Sequence, residues 1–147
     1  MRTPLQSLLN LKKWKEDEAK NIFAVLIKEL EAEEKELALL EEQFQALGRR
    51  FECTDELISI DEIKKLNEFL DHLCIRIRRQ QQVVEGKERQ VEEARVALVE
   101  ASKDKKVFER LDEKQKKQSA KESKRKEQIG TDEHAVTGHN RHNNRNR

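Results

Sequence analysis

Residues 19–51, AKNIFAVLIKELEAEEKELALLEEQFQALGRRF, decide the fold of this chain because their apolar side chains recur at a helical spacing. The positions that follow one another at alternating spacings of four and three are Ala19, Phe23, Leu26, Leu30, Glu33, Leu37, Leu40, Phe44, Leu47 and Phe51. This heptad pattern, here called the seam, is typical of a helix that packs along one stripe against another helix. Alternation with period two, which would indicate a β-strand, is nowhere sustained.

The beginning of the first helix is marked by a capping box. Thr3 and Gln6 form a T-x-x-Q pair, and Pro4 supplies a fixed φ at the first helical position. The seam extends back to this start, with less apolar character, through Glu16, Lys12, Leu9 and Leu5. We therefore predict a first helix over about residues 4–52.

A second helix follows a short break in the pattern. The heptad spacing is lost around residues 53–58, and Ser59 with Glu62 then forms an S-x-x-E capping box. The second seam consists of Ile63, Leu66, Leu70, Leu73, Ile77, Gln80, Val84, Lys87, Val91, Ala94, Leu98 and Ala101. These positions predict a turn over residues 53–59 and a second helix over about residues 60–129.

The short connection makes the two helices antiparallel neighbours, so the predicted fold is all-α: a long antiparallel coiled-coil hairpin over residues 1–130. Leu5 and Leu9 are expected opposite residues 101–112. Beyond Phe108 the second helix is expected to project alone as a basic extension that stops at Gly130, and residues 131–147 are expected to form a disordered polar tail. Parallel dimerisation is the structural alternative. For the polar seam residues Glu33, Gln80 and Lys87, register selection is favoured over a functional kink.

Composition and charge agree with long solvated helices. Charged residues make up 41% of the chain and hydrophobic residues 35%. Residues 1–100 carry 17 Lys or Arg and 22 Asp or Glu, a net charge of −5, whereas residues 101–147 carry 14 and 8, a net charge of +6. A basic end indicates an acidic partner, which could be a protein groove, a phosphate backbone or an anionic membrane surface.

No uncharged run approaches the length of a membrane span, which predicts a cytosolic chain. In that compartment Cys53 and Cys74 are expected to be reduced, unpaired thiols. A phosphate-binding glycine loop is absent, and a two-helix hairpin offers no concave catalytic pocket, so we expect neither an enzyme nor a cofactor. The tail histidines His134, His139 and His142 lack a folded frame and do not predict a metal site.

Two surface features have competing interpretations. The basic run at 103–126 also contains five acids and few Arg or Asn residues, which argues against nucleic acid and leaves a solvated face or an acidic protein groove. Phe69, with His72 and Leu73, either forms an apolar docking patch or packs against the flank of the seam.

Three segments together resemble the FliJ family of flagellar export proteins, which is related to the stalk proteins of virulence type III secretion systems. The segments are LQSLLNLKKWKEDEAK at 5–20, ISIDEIKKLNEFLDHL at 58–73 and ERLDEKQKKQSAKESKRKEQIGTDEHA at 109–135. The resemblance implies a non-enzymatic stalk, with the end that bears both termini docked in a hexameric export ATPase. Alternative functions are a stalk of a virulence injectisome and a generic coiled-coil chaperone or tether.

The resemblance also implies partners and contact residues. The expected partners are the flagellar export ATPase and the cytoplasmic domain of the export gate, and it stays open whether export chaperones also bind. Phe69 and Leu73 are implied in gate binding, although Arg76 and Gln80 depart from the family pattern. The residues implied in ATPase binding are Lys105, Lys106, Arg110, Lys114, Lys116, Lys117, Lys121, Lys124, Arg125 and Lys126. The implied location is cytoplasmic, peripheral at the inner membrane through these partners.

Overall fold

The computed structural model of the chain describes residues 3–52 and 59–145, except the side chains of Phe51, Asn143 and Asn144. Within this part the chain forms two α-helices, α1 over Pro4–Glu52 and α2 over Ile60–Arg145. Both helix starts agree with the prediction, and so does the end of α1. The predicted turn and Cys53 lie outside the described residues, apart from Ser59.

The predicted caps explain where each helix begins. The backbone N–H of Gln6 donates to the Thr3 hydroxyl at 3.2 Å, and the backbone N–H of Thr3 donates to the Gln6 side-chain carbonyl at 3.4 Å. At the start of α2, the backbone N–H of Glu62 donates to the Ser59 hydroxyl at 3.3 Å. These bonds satisfy backbone donors that have no partner in the first turn of a helix.

The seam is the buried side of both helices. The buried apolar side chains are Leu9, Leu40, Leu73, Val84 and Ala94, and all five are predicted seam positions. Leu73 is the most deeply buried, at 2% exposure. The seam therefore forms a narrow core two helices thick, as the heptad spacing predicted.

The chain divides into two compact units. In the unit formed by Lys15–Ser102, the Gln80 amide donates to the backbone carbonyl and to the carboxylate of Glu33, at 2.9 and 2.5 Å. Lys87 Nζ lies 2.8 Å from a carboxylate oxygen of Glu29. From the first pair to the second, the residue number rises on α2, from Gln80 to Lys87, and falls on α1, from Glu33 to Glu29. This opposite direction confirms the antiparallel hairpin. The polar seam residues pair across the helices, and this pairing supports the interpretation that they select the register.

The other unit contains α1 up to Trp14 and α2 from Lys103 onwards. Lys12 Nζ lies 3.5 Å from Asp104 and 5.4 Å from the centre of the Phe108 ring. Leu5 and Leu111 line the same groove. The start of α1 therefore meets the predicted stretch of α2, but packing does not stop at Phe108. It continues past Phe108, because the first helical turn of α1 places Leu5 in a groove with Lys114 and Gln118 of α2.

The structure also differs from the prediction at Gly130, because α2 continues through this residue to Arg145. Gly130 does not adopt positive φ, so it does not cap the helix. The hydroxyls of Thr131 and Thr137 donate to the backbone carbonyls of Glu127 and Glu133, at 2.8 and 2.7 Å. Disorder of residues 131–147 in solution stays a prediction. Its physical basis is that the described side chains of this stretch are all exposed and that only local hydrogen bonds hold this part of the helix.

Candidate functional site

The exposed side of α2 from residue 103 onwards carries a regular line of cations, here called the basic stripe. It consists of Lys103, Lys106, Arg110, Lys114, Lys117, Lys121, Lys124 and Arg125. The first seven follow one another at spacings of three and four, which places them on one side of a helix. All eight are exposed, and this side of α2 is opposite its seam. A continuous cationic surface is therefore presented to solvent.

Three of the cations predicted to bind the ATPase do not belong to this stripe. Lys105 lies at the next heptad position of the seam, is half-buried and pairs with Glu109 at 3.8 Å. Lys116 pairs with Asp112 at 3.1 Å. Lys126 is exposed on another side of the helix. Lys103, by contrast, is in the stripe but outside the predicted set, and the spacing of the cations could have identified it from sequence.

The acids of the same stretch are kept away from the stripe by the same helical geometry. Asp104, Glu109, Asp112, Glu122 and Glu127 lie on other sides of α2, and Glu113 lies at the edge of the stripe. In the sequence, the cations and acids of residues 103–126 form one mixed run. Once they are placed on the helix, the charges separate into sides, and the basic side is suited to an acidic protein surface.

The two residues implied in gate binding lie on α2 in different environments. Phe69 is 54% exposed, and His72 beside it is also exposed. Leu73 is 2% exposed because it belongs to the seam. Phe69 is therefore available for docking, whereas Leu73 can act only from beneath the surface.

The described residues also bear on the requirements of a metal site and of a membrane span. Residues 3–52 and 59–145 contain no group of three His, Cys, Asp or Glu side chains arranged to hold a metal ion. Neither α1 nor α2, over the same residues, has a segment apolar enough to cross a bilayer. Cys74 is an exposed free thiol.

Comparison with known proteins identifies the family. A family model described as flagellar FliJ protein matches residues 1–144 of the 147-residue chain. Searches of curated proteins and of solved structures return no significant match. Since the match spans both helices, the basic stripe and nearly all of the chain, this protein belongs to the FliJ family of flagellar proteins.

Proposed function

We propose that this chain is the stalk of the flagellar export apparatus, with its basic stripe docked in the hexameric export ATPase and the region around Phe69 directed to the export gate. Family membership supports a non-catalytic component of flagellar protein export. The single observation that carries the ATPase contact is the basic stripe, eight exposed cations on one side of α2.

A stripe of this kind suits a pore lined by acidic groups. Its cations span 23 residues of helix, or roughly 33 Å at 1.5 Å per residue, so the contact can extend along the depth of the pore. Exposed charges mainly accelerate encounter and set salt dependence. One chain cannot contact six identical subunits equally, so the subunits that it touches differ in state from the others. That difference gives the stalk a means of promoting ATP hydrolysis.

The test compares two sets of substitutions that change the net charge by the same amount. Lys114→Gln, Lys117→Gln and Lys121→Gln remove three charges from the stripe. Lys105→Gln, Lys116→Gln and Lys126→Gln remove three charges from other sides of the same helix. The measurements are affinity for the purified export ATPase and stimulation of its hydrolysis.

We expect the stripe variant to bind about tenfold more weakly, since three exposed ion pairs at about 0.5 kcal/mol each amount to about one power of ten. The control variant should bind within about twofold of the wild type, and the difference should shrink at high salt. Equal losses in the two variants would show that only net charge matters, and the stripe would lose its role.

The gate contact is tested separately on the same helix. Phe69→Ala removes a side chain that is 54% exposed, and Ile75→Ala removes one that is 48% exposed. Binding to the purified cytoplasmic domain of the gate should weaken for Phe69→Ala alone. If both variants bind as the wild type does, Phe69 has no part in the gate contact. The proposed location, cytoplasmic and peripheral to the membrane, follows from these two partners.

A further inference from the structure

Four aliphatic side chains on the two-helix part of the unit that contains Lys103 remain about half-exposed. Leu8 and Leu11 on α1 are each 44% exposed, and Val107 and Leu111 on α2 are 55% and 47% exposed. Each lies one residue before a seam position, since the seam of α2 continues at the same spacing through Lys105, Phe108 and Asp112. In an antiparallel pair, the positions one residue before the seam turn to the same side on both helices. We call these four side chains the apolar face.

Contacts within the unit confirm that the two sides of the seam are distinct. Lys12 in the seam reaches Asp104 at 3.5 Å, and Asp104 lies one residue before a seam position. Leu111 and Lys114, which share that placement, line one groove with Leu5. The opposite side has a groove lined by residues that follow the seam, among them Gln6, Asn10, Lys13 and Lys116. The apolar face therefore lies on the side of Asp104 and Leu111.

Aliphatic residues are unusual at these positions. The positions that flank the seam of a two-helix coiled coil generally carry Glu or Lys, which stay solvated and form ion pairs. The opposite side of this unit is polar, with Lys13 and Lys116 at such positions. Four aliphatic side chains clustered beside the seam indicate a surface that another molecule covers.

The surroundings of the apolar face are basic. Lys103, Arg110 and Lys114 are exposed on α2 next to Val107 and Leu111. Asp104, the nearby acid, is paired with Lys12. A partner that covers the face therefore gains most if it presents carboxylates around an apolar centre.

A second copy of the chain fits this surface poorly. Symmetric pairing would bring two identical sets of Lys103, Arg110 and Lys114 together, and like charges repel. Four half-exposed aliphatic side chains also offer on the order of 300 Å², below the ~800 Å² per partner of a standard stable interface. The area is better matched to a single helix laid along the groove between α1 and α2.

We propose that the apolar face is a docking site for an acidic amphipathic helix of a partner protein. Apolar side chains at spacings of three and four on that helix pack against Leu8, Leu11, Val107 and Leu111, and its flanking carboxylates meet Lys103, Arg110 and Lys114. The site shares Lys103, Arg110 and Lys114 with the basic stripe, but its four aliphatic side chains lie outside the stripe, and the proposal does not require the ATPase contact.

The probe for the test is a synthetic amphipathic peptide with leucine at spacings of three and four and with glutamate and alanine elsewhere. Its twin carries lysine in place of glutamate. Both are titrated against the full chain by fluorescence anisotropy. We expect the glutamate peptide to bind the wild type at least about tenfold more tightly than the lysine twin does.

The variants separate the apolar face from general exposed hydrophobicity. Leu8→Ser with Leu111→Ser should weaken binding of the glutamate peptide by about tenfold or more. The matched control is Ile22→Ser with Val25→Ser, at side chains that are 51% and 54% exposed. It should bind within about twofold of the wild type. Should the serine variant lose helicity, Leu11→Gln with Val107→Gln provides a second test with the same expected loss of binding, because glutamine adds no charge and is a good helix former at these half-exposed positions.

Three results would overturn the proposal. One is equal binding of the glutamate and lysine peptides, and another is wild-type binding by the folded variants of the apolar face. The third is a dimer of the wild type in sedimentation that Leu8→Ser with Leu111→Ser abolishes, which would assign the face to a second copy. Lys117→Gln with Lys121→Gln should leave peptide binding intact, so failure of the ATPase contact is distinguishable.

Discussion

Shortening Leu73 to alanine is expected to destabilise the hairpin by about 3 kcal/mol, because the side chain is 2% exposed between the two helices. The substitution removes three carbon atoms from the seam, and at ~0.8 kcal/mol for each buried methylene the lost transfer free energy is about 2.4 kcal/mol. The residual cavity adds to this cost, and partial closure of a core two helices thick limits the addition.

The same substitution at Leu39 is the matched control. Leu39 is 54% exposed, so about half of the transfer term applies and no cavity forms. The expected loss is about 1 kcal/mol. Urea unfolding followed by far-ultraviolet circular dichroism measures both variants, with the m-value as a check that the same surface is exposed. A Leu73→Ala variant that loses no more stability than Leu39→Ala would refute the assignment of Leu73 to the core.

The outcome also bears on gate binding. If Leu73 acts only from beneath the surface, Leu73→Ala lowers stability and keeps most of its affinity for the gate at a temperature where it stays folded. Phe69→Ala should show the reverse, since its side chain is 54% exposed. A stable Leu73→Ala variant with lost gate affinity would instead mean that the helices separate when the gate binds.

Three further predictions concern local features of the helices. Gly86→Ala should raise the free energy of unfolding by about 0.5–1 kcal/mol in urea titrations, because the glycine is helical and nothing lies within 4 Å of an added Cβ. Hydrogen bonding from Arg95 lowers the pKa of Glu92 in the folded state. The interaction therefore stabilises the folded state at pH values above the unfolded pKa of Glu92, and this stabilisation is lost as pH falls through the folded pKa. Arg95→Gln should therefore raise the Glu92 midpoint in an NMR titration, and an unchanged midpoint would contradict the assignment. Backbone amides of residues 131–145 should exchange with solvent much faster than those of residues 63–101, since no other element packs on them, and equal protection would rule out the predicted disorder.

Most of the fold could be predicted because one periodic signal determines it. Apolar residues at spacings of three and four define the seam, and every apolar residue that the structure buries lies in it. The capping pairs at Thr3 and Ser59 fix the starts of the helices within one residue. The register required the structure, because a heptad pattern is compatible with shifts by a whole heptad, and the pairing of Gln80 with Glu33 decides among them.

The sequence is less informative about parts of α2 that do not pack in the core, namely its C-terminal end and its exposed cations. Gly130 favours a helix stop in the sequence, but glycine commonly ends a helix by adopting positive φ, and Gly130 does not adopt it here. The candidate site was predicted as a basic run and not as a stripe. Lys105 and Lys116 belong to the run in sequence, but in the structure they pair with Glu109 and Asp112 instead of joining the exposed line of cations.

The fold and the proposed binding surfaces use different sides of the same helix. The seam of α2 holds the apolar residues that stabilise the hairpin, whereas the basic stripe lies on the opposite side and contains no seam position. Charge changes in the stripe should therefore alter binding with little effect on hairpin stability, because exposed ion pairs contribute little to folding. Binding depends on folding, by contrast, in α2 beyond Gln118, where every described side chain is exposed. There the helix must be maintained by its own hydrogen bonds until a partner covers it, and the affinity of the stripe must include the cost of ordering any part that frays.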